Sequence, residues 1–210
     1  MTDSFRLMVF CKAPVPGEVK TRLHGAYTPE QAADIHRELA IETLEQCLEL
    51  KHAMPGIILE LWCSPDSDHE FFQYYQTQGY ELLQQSGDDL GERMHNGFLQ
   101  QKGAGLLIGT DCPPIDVNYL MFAAKQLKSV DVVLAPAEDG GYGLIGLHRP
   151  NFNLFENITW STDTVLSKTI ERCESQKLTT KPLPLIWDVD DPDDVDRWRD
   201  YCGVKLSQYQ

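Results

Sequence analysis

Short, almost wholly apolar runs alternate along this chain with segments whose apolar residues recur at helical spacing. Such runs occupy residues 5–10, 57–63, 105–110 and 130–136, where apolar side chains fill most consecutive positions. A strand of this kind must be covered on both faces, which is typical of a parallel sheet enclosed by two layers of helices. The alternation therefore predicts an α/β fold, a single-domain three-layer α/β/α sandwich with a mostly parallel central sheet.

Weaker signals complete the predicted order of elements. Two more strands are expected at 80–85 and 143–148, and an extended stretch at 178–185. Helical spacing and capping residues predict helices at about 28–51, 67–78, 89–101, 116–127, 161–174 and 191–201. No internal repeat or low-complexity linker interrupts this pattern, so we expect one domain over residues 1–210.

The first helix has the clearest start signal. Thr28 is expected to cap it, Pro29 suits its first position, and Gln31 completes a capping box. The fifth helix is expected to begin at a cap provided by either Ser161 or Thr162. The residues expected on the apolar face of the first helix are Ala32, Ile35, Leu39, Ile41, Leu44 and Leu48.

The charge and composition of the chain exclude some classes of binding partner. The chain has 32 acidic and 18 basic side chains, a net charge of −14, so phosphates are repelled over most of its surface and no nucleic-acid polymer is expected as a partner. No apolar run approaches the roughly 18–20 residues of a membrane span, and the N-terminus lacks the features of a secretion signal. Because the six cysteines form no CxxC-type pair, we expect reduced thiols and a cytoplasmic protein. The oligomeric state stays open.

A basic loop follows the first predicted strand. Lys12, Lys20 and Arg22 are opposed there only by Glu18, in a chain that is otherwise strongly acidic. The order Gly17…Lys20-Thr21 does not match the P-loop pattern, because the first glycine is missing and two residues separate Gly17 from the lysine. Two readings remain: a loop that binds a polyphosphate through its charges and backbone N–H groups, or an ordinary solvated turn.

Acidic residues occupy two places where they could bind a divalent cation. Asp111 follows a buried strand in GTDCPP, where prolines open the turn towards the edge of the sheet. Asp188 and Asp190 alternate in an extended stretch before the last helix, so both side chains should point the same way. Carboxylates suit Mg²⁺ or Mn²⁺. The alternatives are a turn-forming aspartate and an acidic first turn of a helix.

A glycine pair lies in the segment EDGGYGLIGL. Gly140 and Gly141 would let the backbone approach a ligand closely, and Glu138 and Asp139 provide carboxylates beside them. From the residues alone, an acidic β-turn is the favoured interpretation of this segment, and a loop that approaches a ligand is the alternative.

Taken together and in order, these motifs closely resemble the DUF2064 family. That family is often labelled an arsenosugar-biosynthesis-type glycosyltransferase and belongs with the nucleotide-diphospho-sugar transferases of the GT-A fold. The first and last motifs are also similar to those of phospholactate and molybdenum-cofactor guanylyltransferases. The resemblance covers roughly residues 5–200, and the motifs that carry it are FCKAPVPGEVKTRL, LGERM, GTDCPPI, EDGGYGLIGL, ITWSTDTVL and DVDDPDDV.

The resemblance implies roles for the matching residues. It implies metal binding by Asp111 together with Asp190, which matches the family's position before the last helix better than Asp188 does. The residues implied in binding the nucleotide phosphates are Lys12, Gly17, Lys20 and Arg22. Those implied in facing the substrate are Gly140, Gly141 and Tyr142.

The leading hypothesis is a transferase that depends on Mg²⁺ or Mn²⁺ and uses a nucleotide-activated donor. The donor would be a nucleotide sugar and the acceptor a small molecule, with Asp111 holding the metal and Asp139 as the base that activates the acceptor. A second hypothesis is a nucleotidyltransferase that joins an NTP to a phosphorylated small molecule and releases pyrophosphate. A third is a non-catalytic nucleotide-binding module. Asp111 is followed by Cys112 and Pro113 rather than by a DxD signature, so the residues leave these reactions open.

Overall fold

Seven strands form one sheet in the computed structural model, which describes residues 5–100 and 103–207. Their order across the sheet is β3-β2-β1-β4-β6-β5-β7, and every pairing is parallel except those of β6 with β4 and β5. The α/β fold with a mostly parallel sheet is therefore confirmed. The strands are β1 (Arg6–Lys12), β2 (Ile58–Ser64), β3 (Glu81–Gln84), β4 (Gly105–Ile108), β5 (Val132–Pro136), β6 (Tyr142–Leu147) and β7 (Thr180–Pro182).

Five α-helices connect these strands within the described residues, a sixth follows β7, and two short 3₁₀ turns accompany them. None of the helices described is long and apolar enough to cross a membrane. The predicted end of the third helix, Gln101, lies outside the described residues. The helices are α1 (Pro29–Ala53), α2 (Glu70–Thr77), α3 (Leu90–Leu99), α4 (Val117–Leu127), α5 (Val165–Ser175) and α6 (Pro192–Ser207).

The start of α1 is as predicted, whereas that of α5 is not. The Thr28 hydroxyl accepts a hydrogen bond from the N–H of Gln31, whose side chain accepts one in return from the N–H of Thr28. Helix α5 begins only at Val165, so the prediction of a cap at Ser161 or Thr162 was wrong. Ser161 has a positive φ of 62°, a left-handed conformation that interrupts the run into the helix.

Two apolar clusters cover the two faces of the sheet. One contains side chains of α1, α2 and α4, including the fully buried Leu44 and Phe72. The other contains side chains of α3 and α5, including Met94, Phe98 and Cys173. This arrangement is the predicted three-layer sandwich. It explains why the central strands are apolar at consecutive positions, since both of their faces are packed.

The apolar face of α1 was predicted correctly except at one position. Leu39 and Leu44 are buried, but 39% of Ile41 is exposed. Ile41 lies beyond the margin of the buried face, because two residues of helix turn its side chain by about 200° from that of the buried Leu39.

Truncation of these two residues should have different effects. Leu44→Ala should lower the free energy of unfolding by about 2–5 kcal/mol, because it removes a fully buried side chain and leaves a cavity. Ile41→Ala, in the same helix, should cost less than about 1 kcal/mol. Urea denaturation measures both values, and equal losses would contradict the orientation of α1.

Candidate active site

A cleft of about 500 Å³ opens at the edge of the sheet where β1 and β4 end. The carboxyl ends of parallel strands meet at one edge, and ligands of open α/β sheets bind there. Strand β6 runs in the opposite direction, so its first residue, Tyr142, lies at the same edge beside the end of β4. The loops that follow β1, β4 and β5 therefore surround one space.

The start of the loop after β1 is held by two hydrogen bonds to its backbone. The N–H of Ala13 donates to the carbonyl of Ser64, and the Nε2 of His36, on α1, donates to the carbonyl of Lys12 over 2.9 Å. Burial lowers the pKa of His36, and this hydrogen bond only partly opposes the shift. A neutral His36 therefore fixes the start of the basic loop, a role that its place in a long helix does not reveal.

Lys20 lies at the centre of the cleft. Its Nζ is 3.3 Å from Oδ2 of Asp111 and 3.6 Å from Oδ1 of Asp190, and it donates to the carbonyl of Val189 over 2.5 Å. Only 6% of the Lys20 side chain is exposed. Burial opposes its charge, but Asp111 and Asp190 outweigh burial and raise the pKa of Lys20. Likewise, Lys20 outweighs the effect of burial on Asp111 and lowers the pKa of that carboxyl group. A charged lysine thus joins two carboxylates.

The second acidic segment lies against Asp111 because the backbone binds it there. The N–H of Val189 donates to the carbonyl of Asp111 over 2.9 Å, while the Val189 side chain is fully buried. Asp188 and Asp190, on either side of it, both line the cleft, as their alternation predicted. Arg22 forms an ion pair with Asp190.

Asp188 lies in the most negative part of the cleft. Burial raises its pKa to about 7, and the neighbouring charges of Asp111, Asp190 and Asp139 act in the same direction. The carboxyl group of Asp188 therefore takes up a proton at a much higher pH than an ordinary aspartate does. A cation placed beside it would favour the charged form.

The two acidic residues after β5, Glu138 and Asp139, point in different directions. Asp139 lines the cleft, and its Oδ1 accepts a hydrogen bond from the N–H of Gly141 over 2.8 Å. Glu138 faces α6 instead and forms a bidentate ion pair with Arg197, whose two terminal nitrogens lie 2.8 and 2.9 Å from the carboxylate oxygens. The guanidinium of Arg197 also lies 4.2 Å above the ring of Trp187. Glu138 therefore attaches the loop to α6.

Gly140 provides close packing rather than part of the cleft wall. It has a φ of 88°, and a Cβ at this position would lie 2.3 Å from the carbonyl oxygen of Asp163. Its own carbonyl accepts from the N–H of Leu166 over 3.0 Å. The loop before α5 thus lies directly on Gly140, where only glycine leaves room.

The structure brings most of the sequence-predicted site residues together. Gly17 and Gly140 belong to the loops that form the cleft but do not line it. Those that line the cleft are Lys12, Lys20, Arg22, Asp111, Asp139, Gly141, Tyr142, Asp188 and Asp190.

Several residues of the cleft were missed from the sequence. Arg93 and Met94 of α3 line it, as do Trp160 and Thr162 of the loop before α5. The motifs LGERM and ITWSTDTVL contain these residues. Both are among the six motifs that carry the family resemblance, and this could have pointed to the residues. His36 had no such signal.

No three side chains of His, Cys, Asp or Glu are gathered into a metal-binding group anywhere in the part of the chain that the structure describes. The carboxylates of Asp111 and Asp190 are instead neutralised by Lys20 and Arg22. Oxygen donors that already share one cation have the right chemistry for a hard metal ion.

Comparison with solved structures places the fold among nucleotide-using transferases. A candidate nucleotide-diphospho-sugar transferase from Desulfovibrio desulfuricans G20 is 28% identical, with a TM-score of 0.78 over 90% of this chain and 84% of that one. A CMP:2-keto-3-deoxy-manno-octonic acid synthetase complexed with CTP is 12% identical, with a TM-score of 0.61 over 96% and 99% of the two chains. The 4-diphosphocytidyl-2C-methyl-D-erythritol synthase of Anaerococcus prevotii DSM 20548 is 11% identical, with a TM-score of 0.59 over 95% and 96%.

The fold is the one shared by the nucleotide-diphospho-sugar transferases and cytidylyltransferases among these structures. No curated protein matches the sequence. The model of the family described as "Uncharacterized protein conserved in bacteria (DUF2064)" matches residues 43–162, and the chain belongs to that family.

Comparison of Gly140→Ala with Gly17→Ala should distinguish the energetic cost of steric overlap from that of backbone strain. Gly140→Ala and Gly17→Ala both put a side chain at a positive φ, but only the first meets backbone atoms, since nothing lies within 4 Å of a Cβ at Gly17. We expect Gly17→Ala to lower the free energy of unfolding by about 1–2 kcal/mol. Gly140→Ala should cost about 2 kcal/mol more. Equal losses in urea denaturation would show that Asp163 does not press on Gly140.

Asp188→Asn should stabilise the protein in a pH-dependent way. The pKa of Asp188 is about 7 in the folded chain, against an ordinary value of 3.8, so its ionisation costs folding free energy as the pH rises between these values. The gain in unfolding free energy from Asp188→Asn should therefore be about 1–2 kcal/mol larger at pH 8 than at pH 5. Urea denaturation in the presence of EDTA measures this difference. The exposed Asp193→Asn is the control, and a gain that is independent of pH would contradict the raised pKa.

Proposed function

We propose that residues 1–210 form one nucleotide-diphospho-sugar-transferase-like domain that transfers a glycosyl group from a nucleotide sugar to a small-molecule acceptor, with the help of Mg²⁺ or Mn²⁺. One observation carries the proposal. Lys20, from the loop after β1, lies in one cleft between Asp111, which follows β4, and Asp190, which precedes α6. Cationic and acidic groups from three parts of the chain thus meet where this fold binds ligands.

The basic residues suit a diphosphate. Lys12, Lys20 and Arg22 line the same cleft, and Arg22, although paired with Asp190, is largely exposed, so its guanidinium can also reach an incoming anion. In the proposed complex they neutralise the charge that develops on the departing nucleoside diphosphate. Loss of one such electrostatic group typically costs about 3–4 kcal/mol of transition-state stabilisation. Gly17 contributes by letting the loop turn at a φ of 84°.

The acidic residues suit a divalent metal, because the ammonium of Lys20 already occupies the space between Asp111 and Asp190 as a cation. In the proposed assignment, Asp111 and Asp190 hold the metal and Asp188 supports them. A bound Mg²⁺ or Mn²⁺ would supply charge stabilisation to the diphosphate. Lys20 would then exchange its carboxylate partners for phosphate oxygens, to which an ammonium binds equally well.

The acceptor side is assigned to the loop between β5 and β6. Asp139 has one carboxylate oxygen bound to the N–H of Gly141, which orients the group in the cleft. We assign Asp139 as the base that takes the proton of the acceptor hydroxyl. Gly140 and Gly141 shape the loop, and Tyr142 lines the cleft beyond it.

A second candidate function is nucleotidyl transfer from an NTP with release of pyrophosphate. The three basic side chains favour it, because a triphosphate has more charge to neutralise than a diphosphate. The similar folds named as a CMP-sugar synthetase and a diphosphocytidyl synthase act in its favour as well. Both candidates use the same basic loop, and they differ in the leaving group.

The products distinguish these candidates. The protein is incubated with nucleotide sugars or with NTPs and sugar phosphates, in Mg²⁺, in Mn²⁺ or in EDTA. Glycosyl transfer releases a nucleoside diphosphate, whereas nucleotidyl transfer releases pyrophosphate. Asp111→Asn should reduce metal-dependent turnover at least a thousandfold, about 4 kcal/mol, whereas Asp193→Asn, on the exposed first turn of α6, should leave it unchanged.

Two outcomes would contradict the proposal. Full activity of Asp111→Asn would remove the metal assignment. Metal-dependent thermal stabilisation by nucleotides without turnover of any donor would indicate a non-catalytic nucleotide-binding module.

A further inference from the structure

The cleft continues from its charged end into an apolar compartment on one face of the sheet. Phe10, Leu107 and Ile145, from the central strands β1, β4 and β6, line its floor. Met94 of α3 and Val165 of α5 line its sides. Nothing in the proposed chemistry of phosphates and metal needs these side chains. The compartment therefore suits a part of the substrate that presents carbon and hydrogen.

Trp160 forms one wall of this compartment, and its position is tightly restricted. A Cβ on Gly91, in the first turn of α3, would lie 2.6 Å from Cζ2 and 2.8 Å from Nε1 of the indole. Glycine at position 91 thus makes room for the edge of the ring. The Nε1 atom is buried and has no hydrogen-bond partner among the residues described. Burying such a donor is costly, so packing alone does not explain a tryptophan here.

The backbone around Trp160 is also strained. Asn157 and Ser161 have positive φ values of 54° and 62°, which non-glycine residues rarely adopt. The loop is nevertheless fixed, since Thr162 Oγ1 donates to the carbonyl of Thr159 over 2.7 Å and Asp163 lies on Gly140. Strain of this kind concentrates at ligand-binding sites, where the surrounding structure holds it.

We propose that Trp160 stacks on the hydroxylated ring of the substrate, the glycosyl ring. This inference rests on the proposed function, because it needs a diphosphate at the charged end of the same cleft. An indole offers a broad, rigid apolar surface at low entropic cost. A sugar ring has a face of C–H groups that suits such a surface, while its hydroxyl groups need polar partners at the rim.

The rim of the compartment provides those partners. Ser161 and Thr162, which follow Trp160 in the chain, also line the cleft and provide two hydroxyl groups next to the indole. Oxygen atoms of this kind accept hydrogen bonds from ring hydroxyls. A sugar therefore satisfies both the apolar wall and the polar rim, and we take the glycosyl ring rather than the nucleobase as the occupant.

Binding of matched probes tests the inference. Dissociation constants are measured by calorimetry in Mn²⁺ for inorganic pyrophosphate, UDP, GDP, UDP-glucose, UDP-galactose and GDP-mannose. Trp160→Ala should raise the constant of the nucleotide sugar that binds best by about tenfold, and change those of pyrophosphate and the nucleoside diphosphates less than twofold. Trp160→Phe, which keeps an aromatic face, should recover much of the loss.

Two further measurements guard against a folding defect. Gly91→Ala keeps the indole but displaces it, and its Cβ would also lie 2.9 Å from the carbonyl oxygen of Phe155. It should reproduce the selective loss of nucleotide-sugar binding, and unchanged binding of pyrophosphate by the same variant shows that the fold is retained. The wild-type tryptophan emission should change on addition of the nucleotide sugar, and Trp160→Phe should abolish that change. Trp198→Phe, which alters a buried tryptophan in α6 outside the cleft, should not.

Each contrary outcome has one meaning. If Trp160→Ala weakens UDP and UDP-sugars equally, the ring on the indole is the nucleobase and the inference is wrong. It is also wrong if the variant changes no constant, or if the wild type binds pyrophosphate but none of the nucleotide sugars. If the wild type binds no probe at all, pyrophosphate included, the proposed function itself fails.

Discussion

The ion pairs of Lys20 hold the candidate site together. One ammonium group, with only 6% of its side chain exposed, contacts Asp111 and Asp190 and donates to the carbonyl of Val189. A buried charge is tolerated only when it is paired and hydrogen-bonded, and here the partners come from two segments that are remote in sequence from Lys20 and from each other. The loop after β1, the end of β4 and the segment before α6 are therefore fixed relative to one another. The cleft forms between these three fixed segments.

The antiparallel strand β6 brings the loop that precedes it to the same edge of the sheet as Asp111. In a purely parallel sheet, a strand beside β4 would end rather than begin at the edge where Asp111 lies. Because β6 is antiparallel to both neighbours, the short loop from β5 stays at that edge and delivers Asp139 and Tyr142 to the cleft. Gly140 then allows the loop before α5 to lie on it, and that loop carries Trp160.

The sequence predicted the strands and the α/β class well, because uniformly apolar runs leave few alternatives to a strand covered on both faces. It also located Lys12 and Asp111, since residues that follow parallel strands meet at one edge. The cap of α5 was wrong because a tertiary contact with Gly140, invisible in local pattern, sets that loop. His36 and Trp160 were missed for the same reason. One lies within a long helix and the other in an irregular loop, and only packing directs either towards the cleft.

Lys20 and its partners Val189 and Asp190 are far apart in the sequence, and this separation affects when the site can form during translation. The hydrogen bond from Lys20 to Val189 spans 169 positions, so a nascent polypeptide lacks it until that later segment has left the ribosome. Contacts of such separation form late, after the local helices and the β1–β2 pairing. During synthesis Lys20 and Asp111 are thus made long before Asp190, the second ion-pair partner of Lys20. The newly made sheet has an incomplete binding edge, and ligand capture waits for nearly the whole domain to be translated.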